Sequence, residues 1–310
     1  MPKMTVKESI EIEASPKKVM EVLTDYRQWP EWSPWLITEP DAELNYNDSQ
    51  GQVGASYSWK GELTGQGEMA LVDATEEDLD MDLTFLKPFK SKAKVSFIVE
   101  KIGSHCKVTW TMTSKLPFFL FFMVKKMSAV IGMDYRRGLK MLKEYVEKGW
   151  VSSQIRIVGK EDIPVSRYIG VQDRSNLDTL GEHMPEHYKK IAAHLAENGI
   201  EPNGLPFSIY NSVDVLTNEV DFLSAIPISE TVEVDSEKFV VGHLEAKPAV
   251  KVEHRGSYDH LGNAWASSIM YARANKIKVN KEFGGVEIYM NDPNETEPAD
   301  LISEIYLTLR

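Results

Sequence analysis

The chain has 310 residues, a single cysteine and a formal net charge of −12. That length predicts about two domains of roughly 100–200 residues each, and the apolar and charged fractions of 42% and 26% are those of ordinary globular domains. Cys106 alone excludes an intramolecular disulfide framework. The longest apolar run, from Leu116 to Val124, is about half of what a membrane span requires. No apolar leader follows Pro2 and Met4, so the expected location is cytoplasmic. Residues 1–150 carry −2 and residues 151–310 carry −10. An acidic half of that size repels phosphate backbones, and no helix-turn-helix or zinc-finger pattern accompanies it, so nucleic acid is not an expected partner.

In chain order, Thr5 to Glu13 alternates in polarity as a strand does. Ser15-Pro16 then supplies an N-cap and a first-turn proline for a short helix with Val19, Val22 and Leu23 on one face. The turn Trp29-Pro30-Glu31-Trp32-Ser33-Pro34-Trp35 follows. Strand patterns run from Ala55 to Leu63, Gly67 to Asp73, Asp80 to Leu86, Ala93 to Glu100 and Lys107 to Ser114. A helix pattern from about Phe119 to Lys148 closes the half. Its opening run, Phe118 to Phe122, is read as the buried start of a helix on a sheet, in preference to a membrane-touching or lipid-gating segment. The order is α+β.

Ser15-Pro16-Lys17-Lys18-Val19, Tyr26 to Trp32, Tyr57-Ser58-Trp59-Lys60-Gly61 and Leu86-Lys87-Pro88-Phe89 resemble the START-like polyketide cyclase/dehydrase family over about residues 4–148. The resemblance implies a helix-grip domain, a curved antiparallel sheet around a long C-terminal helix and an apolar cavity. Tyr57, Trp59, Leu83, Phe85, Phe97 and Trp110 are the side chains expected to face that cavity or core. An apolar or amphipathic molecule is its expected ligand. His105-Cys106 is too small a set for a metal.

The helix pattern ends at Glu147-Lys148-Gly149, which divides the chain into 1–150 and 151–310. Beyond it, strand patterns from Ile155 to Val158, Val165 to Ile169, Phe207 to Tyr210 and Phe222 to Ile228 surround a helix from Glu186 to Glu197. The order then repeats: Ala249 to His254 as strand, Leu261 to Ala274 as helix, and Val286 to Met290 and Leu301 to Leu309 as strands. Two strand-helix-strand-strand modules are thus expected. The segment from Leu205 to Ile228 lies without gaps on Gly284 to Leu307, and Ala225 falls on Glu304. A packing requirement would apply to both copies, so a carboxylate present in only one points to function.

His254-Arg255-Gly256-Ser257-Tyr258-Asp259-His260-Leu261-Gly262 with Ala264-Trp265, then Ile288-Tyr289-Met290-Asn291-Asp292-Pro293 and Ser303-Glu304-Ile305-Tyr306-Leu307 resemble the GyrI-like, AraC-type effector-binding family. The resemblance covers about residues 153–310. It implies multidrug recognition in a cleft between the modules, with a buried carboxylate among aromatic side chains, by position Glu304. Tyr306, Tyr258, Trp265, Tyr289 and Tyr210 are the expected neighbours, and a cationic or polar-aromatic molecule the expected ligand. A small-molecule-binding protein without cofactor or metal is the leading expectation. Two alternatives stand beside it: a hydrolase of strained electrophiles that uses Glu304 with Tyr258 or Tyr306, and a module that acts on a partner protein. His183-Met184-Pro185-Glu186-His187 fits an inverted zinc-protease pattern. Pro185 argues against it, because a first-turn proline leaves His183 outside the helix.

Overall fold

The computed structural model describes residues 2–234, 238–280 and 284–310. The chain divides into two compact units, Met1–Ser152 and Ser153–Arg310. The first holds β1 (Lys3–Ile12), α1 (Pro16–Thr24), β2 (Glu43–Tyr46), β3 (Ser56–Lys60), β4 (Gln66–Ala74), β5 (Asp78–Lys87), β6 (Ser91–Ile102), β7 (His105–Lys115) and α2 (Val124–Lys148). Its strands form one antiparallel sheet of order β1-β7-β6-β5-β4-β3-β2. Ser15 caps α1 by accepting from the Lys18 amide, with Pro16 in the first turn, and Val19, Val22 and Leu23 are buried. The helix α2 lies on β1 and β7 and ends at Gly149, whose φ of 85° is the left-handed C-terminal stop. Gly138 lets it seat: a Cβ there would lie 2.8 Å from the Trp110 ring and 2.9 Å from Pro34. This is an α+β helix-grip domain.

Two details depart from the sequence reading. Strand β2 was not anticipated. The Phe118 to Phe122 run is not the buried start of α2. It forms a 3-10 turn, Phe118–Met123, in which Leu120 packs on the core while Phe118, Phe119, Phe121 and Phe122 face solvent. Val124, Met127 and Ile131 already anchor the first turns of α2 to that core, so the turn before it needs only Leu120 to seat.

The second unit holds β8 (Ser153–Asp162), β9 (Ser166–Asn176), α3 (Leu180–Glu197), β10 (Phe207–Asp214), β11 (Glu219–Pro227), β12 (Val240–Leu244), β13 (Pro248–Gly256), α4 (Gly262–Ala274), β14 (Gly285–Tyr289) and β15 (Ile302–Thr308). The strands form one sheet of order β12-β9-β11-β10-β14-β15-β13-β8. The modules β9-α3-β10-β11 and β13-α4-β14-β15 are thus related about the β10–β14 junction. Each leading strand crosses to the far side: β8 lies beside β13, and β12, which the sequence pattern did not reveal, beside β9.

Helix α3 begins at Leu180, six residues before the predicted start, with Pro185 inside it. His183 is therefore on the helix, contrary to the sequence argument. Leu180 and Met184 pack against Tyr210, Val220 and Phe222, and that burial offsets the one backbone hydrogen bond that Pro185 forfeits.

Candidate functional site

The two strands at the pseudo-twofold junction, β10 and β14, are antiparallel, with Ser208 opposite Glu287 and Tyr210 opposite Gly285. Alternation along each strand puts Ser208, Tyr210, Glu287 and Tyr289 on one face. Trp265 on α4 reaches that face: its Nε1 donates to Glu287 Oε1. Tyr210 and Tyr289, which occupy equivalent positions in the two modules, both donate to Glu287 Oε2, at 2.7 and 2.9 Å. Glu287 is 3% exposed. Among the described residues no lysine or arginine pairs with it. Burial pushes its carboxyl above the usual carboxylate range, and the donors from Trp265, Tyr210 and Tyr289 only partly oppose this.

Further aromatic rings extend the wall. Tyr188 from α3 donates to the Phe207 carbonyl at 2.8 Å and lies 2.8 Å from Ser208 Oγ. Its ring meets Tyr289 edge-on at 5.9 Å, and Tyr258 meets Tyr289 at 5.5 Å. Trp265 and Tyr210 pack edge-on at 5.4 Å. Tyr258, the most exposed of the set, has its hydroxyl pushed up to about 12 by burial and by the charges of Glu287 and Asp292. Burial and the Glu287 charge hold Tyr210 and Tyr289 well above the ordinary phenol value, so both remain donors. A buried carboxylate held by neutral donors beneath aromatic faces can accept a cation at small extra desolvation cost.

Of the residues singled out in the sequence, Tyr258, Trp265, Tyr289 and Tyr210 come together here. Glu304 and Tyr306 do not join them. Glu304 lies opposite Ile288, whereas Glu287 lies opposite Ile305, so the two carboxylates leave neighbouring strands on opposite faces. Glu304 binds Lys251 Nζ at 2.9 Å and accepts from the Tyr306 hydroxyl at 2.7 Å. Lys251 also reaches Glu161 at 3.4 Å and lies over the Tyr306 ring. Burial works to lower the Lys251 pKa, but Glu304 and Tyr306 outweigh it and the net shift is upward. Glu287 went unnoticed in the sequence although a signal existed: the gapless alignment that sets Ala225 against Glu304 also sets Ser208 against Glu287.

In the first unit Trp110 is stacked between Phe97, at 4.9 Å, and Tyr135 of α2, at 3.9 Å. Tyr57 and Leu83 are buried in the same core, while Trp59 packs edge-on against the half-buried Phe85 and donates to the Thr64 carbonyl. Tyr26 Oη, Trp32 Nε1 and Trp110 Nε1 are buried with no hydrogen-bond partner among the described residues. In the second unit His183 Nδ1 and His187 Nε2 both approach Asp173 Oδ2, at 3.0 and 3.2 Å. Among the described residues no group of three or more histidine, cysteine or acidic side chains is arranged to hold a metal ion.

No curated protein matches the chain. Among solved structures, a Mesorhizobium loti protein is 13% identical with a TM-score of 0.37, covering 46% of this chain and 97% of its own. The Aha1 protein of Colwellia psychrerythraea is 18% identical with a TM-score of 0.35, covering 47% and 97%. The C-terminal domain of EcmrR is 16% identical with a TM-score of 0.42, covering 51% and 98%. Residues 3–147 match the family described as polyketide cyclase / dehydrase and lipid transport, and residues 157–310 the family described as GyrI-like small molecule binding domain. The chain therefore joins a polyketide cyclase / dehydrase and lipid transport domain to a GyrI-like small molecule binding domain.

Proposed function

We propose that the GyrI-like domain binds a flat cationic or polar-aromatic small molecule against Glu287. Tyr188, Tyr210, Tyr258, Trp265 and Tyr289 form the aromatic surface. The observation that carries this reading is a carboxylate 3% exposed, held by three neutral donors and paired with no cation among the described residues. Such a group supplies the charge a cationic ligand needs, and the rings supply stacking faces. The carboxylate role expected of Glu304 passes to Glu287 in this reading, and Glu304 with Tyr306 serves to hold Lys251 in the sheet. The N-terminal domain takes an apolar or amphipathic molecule among Trp59, Phe85 and Trp110. The unpartnered Trp32 and Trp110 indoles favour one that brings an oxygen acceptor on its apolar body.

Sensing, sequestration or carriage of the ligand follows from binding alone. The test is a thermal-shift panel that pairs quaternary-ammonium aromatics with neutral isosteres, with ester and epoxide substrates followed for turnover. Stabilisation by the cations over their isosteres supports the reading. Equal response to both members of each pair removes the role of charge, and turnover would make the domain a hydrolase.

A further inference from the structure

Phe118, Phe119, Phe121 and Phe122 are 76, 71, 60 and 69% exposed, on one 3-10 turn that Leu120 fixes to the core. Four solvated phenylalanines in five residues are costly unless something covers them. The β-sheet register shows what lies beside them. Ala93 pairs with Ser114 and Phe85 with Ser91, so the β5–β6 hairpin ends at the same end of the sheet as β7. With strands about 5 Å apart, the hairpin tip lies within two strand spacings of the end of β7. That tip carries Phe89, 82% exposed.

The charge around these rings has one dominant sign. Lys87 and Lys90 flank Phe89, Lys92 follows on β6, and Lys115 precedes the phenylalanine turn. Lys125 and Lys126 follow it, and Lys3 pairs with Lys115 across the β1–β7 ladder. All seven are exposed, and none is in an ion pair among the described residues. Against them the same end carries Glu62 on the turn between β3 and β4, Glu39 bound to the amides of that turn, Asp41, Glu43 paired with Lys60, and Glu68 on β4. All five lie on the β2–β3–β4 side of the sheet, away from the phenylalanine turn that follows β7. In a chain of net charge −12 such an unpaired cationic rim is a local exception that general solubility does not require.

We infer that this end of the N-terminal domain docks on the surface of an anionic lipid bilayer, with Phe89, Phe118, Phe119, Phe121 and Phe122 entering the headgroup–acyl boundary and the lysines meeting the lipid charges. Aromatic rings ringed by unpaired lysines match the two components of an anionic bilayer surface, and a purely apolar protein partner would leave the lysines unanswered. The inference does not rest on the ligand reading of either domain.

Cosedimentation of the full chain with vesicles tests it. One set is phosphatidylcholine alone, and the other is phosphatidylcholine mixed with the anionic phosphatidylglycerol. The expected result is a bound fraction at least about fivefold higher on the anionic set, falling with added salt. Replacing Phe118, Phe119, Phe121 and Phe122 together by serine should abolish binding with circular dichroism and melting unchanged, since these rings contribute little to the core. The pair Lys125→Glu and Lys126→Glu should weaken it several-fold. Absence of wild-type binding to anionic vesicles at low salt overturns the inference, as does binding that survives the four serines. If light scattering instead shows a dimer that the four serines dissociate, and no vesicle binding, the surface joins two copies and the inference is equally overturned.

Discussion

Ser208 and Glu287 face each other across the central strand pair and occupy equivalent positions in the two modules. One side of the pseudo-twofold junction thus carries a small hydroxyl and the other a carboxylate. Tyr289 reaches both, at 3.2 and 2.9 Å, and its counterpart Tyr210 donates to the carboxylate at 2.7 Å. The asymmetry gives a symmetric aromatic surface one carboxyl group with no cationic partner among the described residues.

The raised pKa of Glu287 has a signed consequence. A proton on the buried carboxyl favours the folded ligand-free state, so its contribution to stability is present at acid pH and lost as pH rises through the folded pKa. A cation needs the ionised form. Affinity for a permanent cation should therefore rise with pH through that pKa, with proton release on binding in buffers of different ionisation enthalpy. Glu287→Gln should flatten the dependence.

Glu304 and Lys251 predict the opposite kind of response. Both are largely buried and joined at 2.9 Å. Removing the Glu304 charge leaves the largely buried Lys251 only the more exposed Glu161 at 3.4 Å, so Glu304→Gln should destabilise the C-terminal domain by up to about 2–4 kcal/mol in urea melts. Lys251→Met added to it should recover most of that loss. A neutral effect of Glu304→Gln would mean that the pair contributes nothing to stability.

His254 is fully buried, with Nε2 3.0 Å from Ser153 Oγ, and burial together with His260 lowers its pKa to about 4. The unfolded chain takes up that proton near 6.5. Stability from keeping His254 neutral is therefore complete above about 6.5 and falls away as pH drops toward 4, by on the order of 3 kcal/mol. Chemical denaturation at stepped pH should show this loss, and His254→Gln should reduce its slope. His187, also lowered by burial, leaves a residual slope of the same sign.

At Gly138 the usual helix preference for alanine should reverse. The gain of about 1 kcal/mol expected at an open helix position meets a Cβ at 2.8 Å from Trp110 and 2.9 Å from Pro34. Gly138→Ala should lower the melting temperature of the N-terminal domain and alter the near-ultraviolet signal of the Trp110–Tyr135 stack.

The element order of both domains was legible because alternation and helical spacing survive in segments such as Thr5 to Glu13 and Leu261 to Ala274. Strands β2 and β12 were missed because Glu43–Tyr46 and Val240–Leu244 are short edge strands whose pairing, and not their composition, makes them strands. The choice between Glu287 and Glu304 was not legible for a different reason. Each is one polar residue in an apolar strand, each lacks an acidic counterpart in the first module, and a shift of one residue exchanges faces. Only the position of Trp265 on α4 and of the tyrosines on β10 and β14 decides which carboxylate they surround. The phenylalanine turn was misread because a run of five apolar residues before a helix has the composition of a buried start, and exposure depends on where the core ends.

The central claim is that Glu287, and not Glu304, is the carboxylate that receives a ligand. Calorimetric titration of a planar aromatic cation such as ethidium into the wild type, Glu287→Gln and Glu304→Gln tests it most directly. The account predicts that Glu287→Gln weakens binding by about 1.5–3 kcal/mol through loss of a charged interaction, while Glu304→Gln, studied below its melting transition, binds as the wild type does. Undiminished binding to Glu287→Gln, with loss in Glu304→Gln, would contradict it.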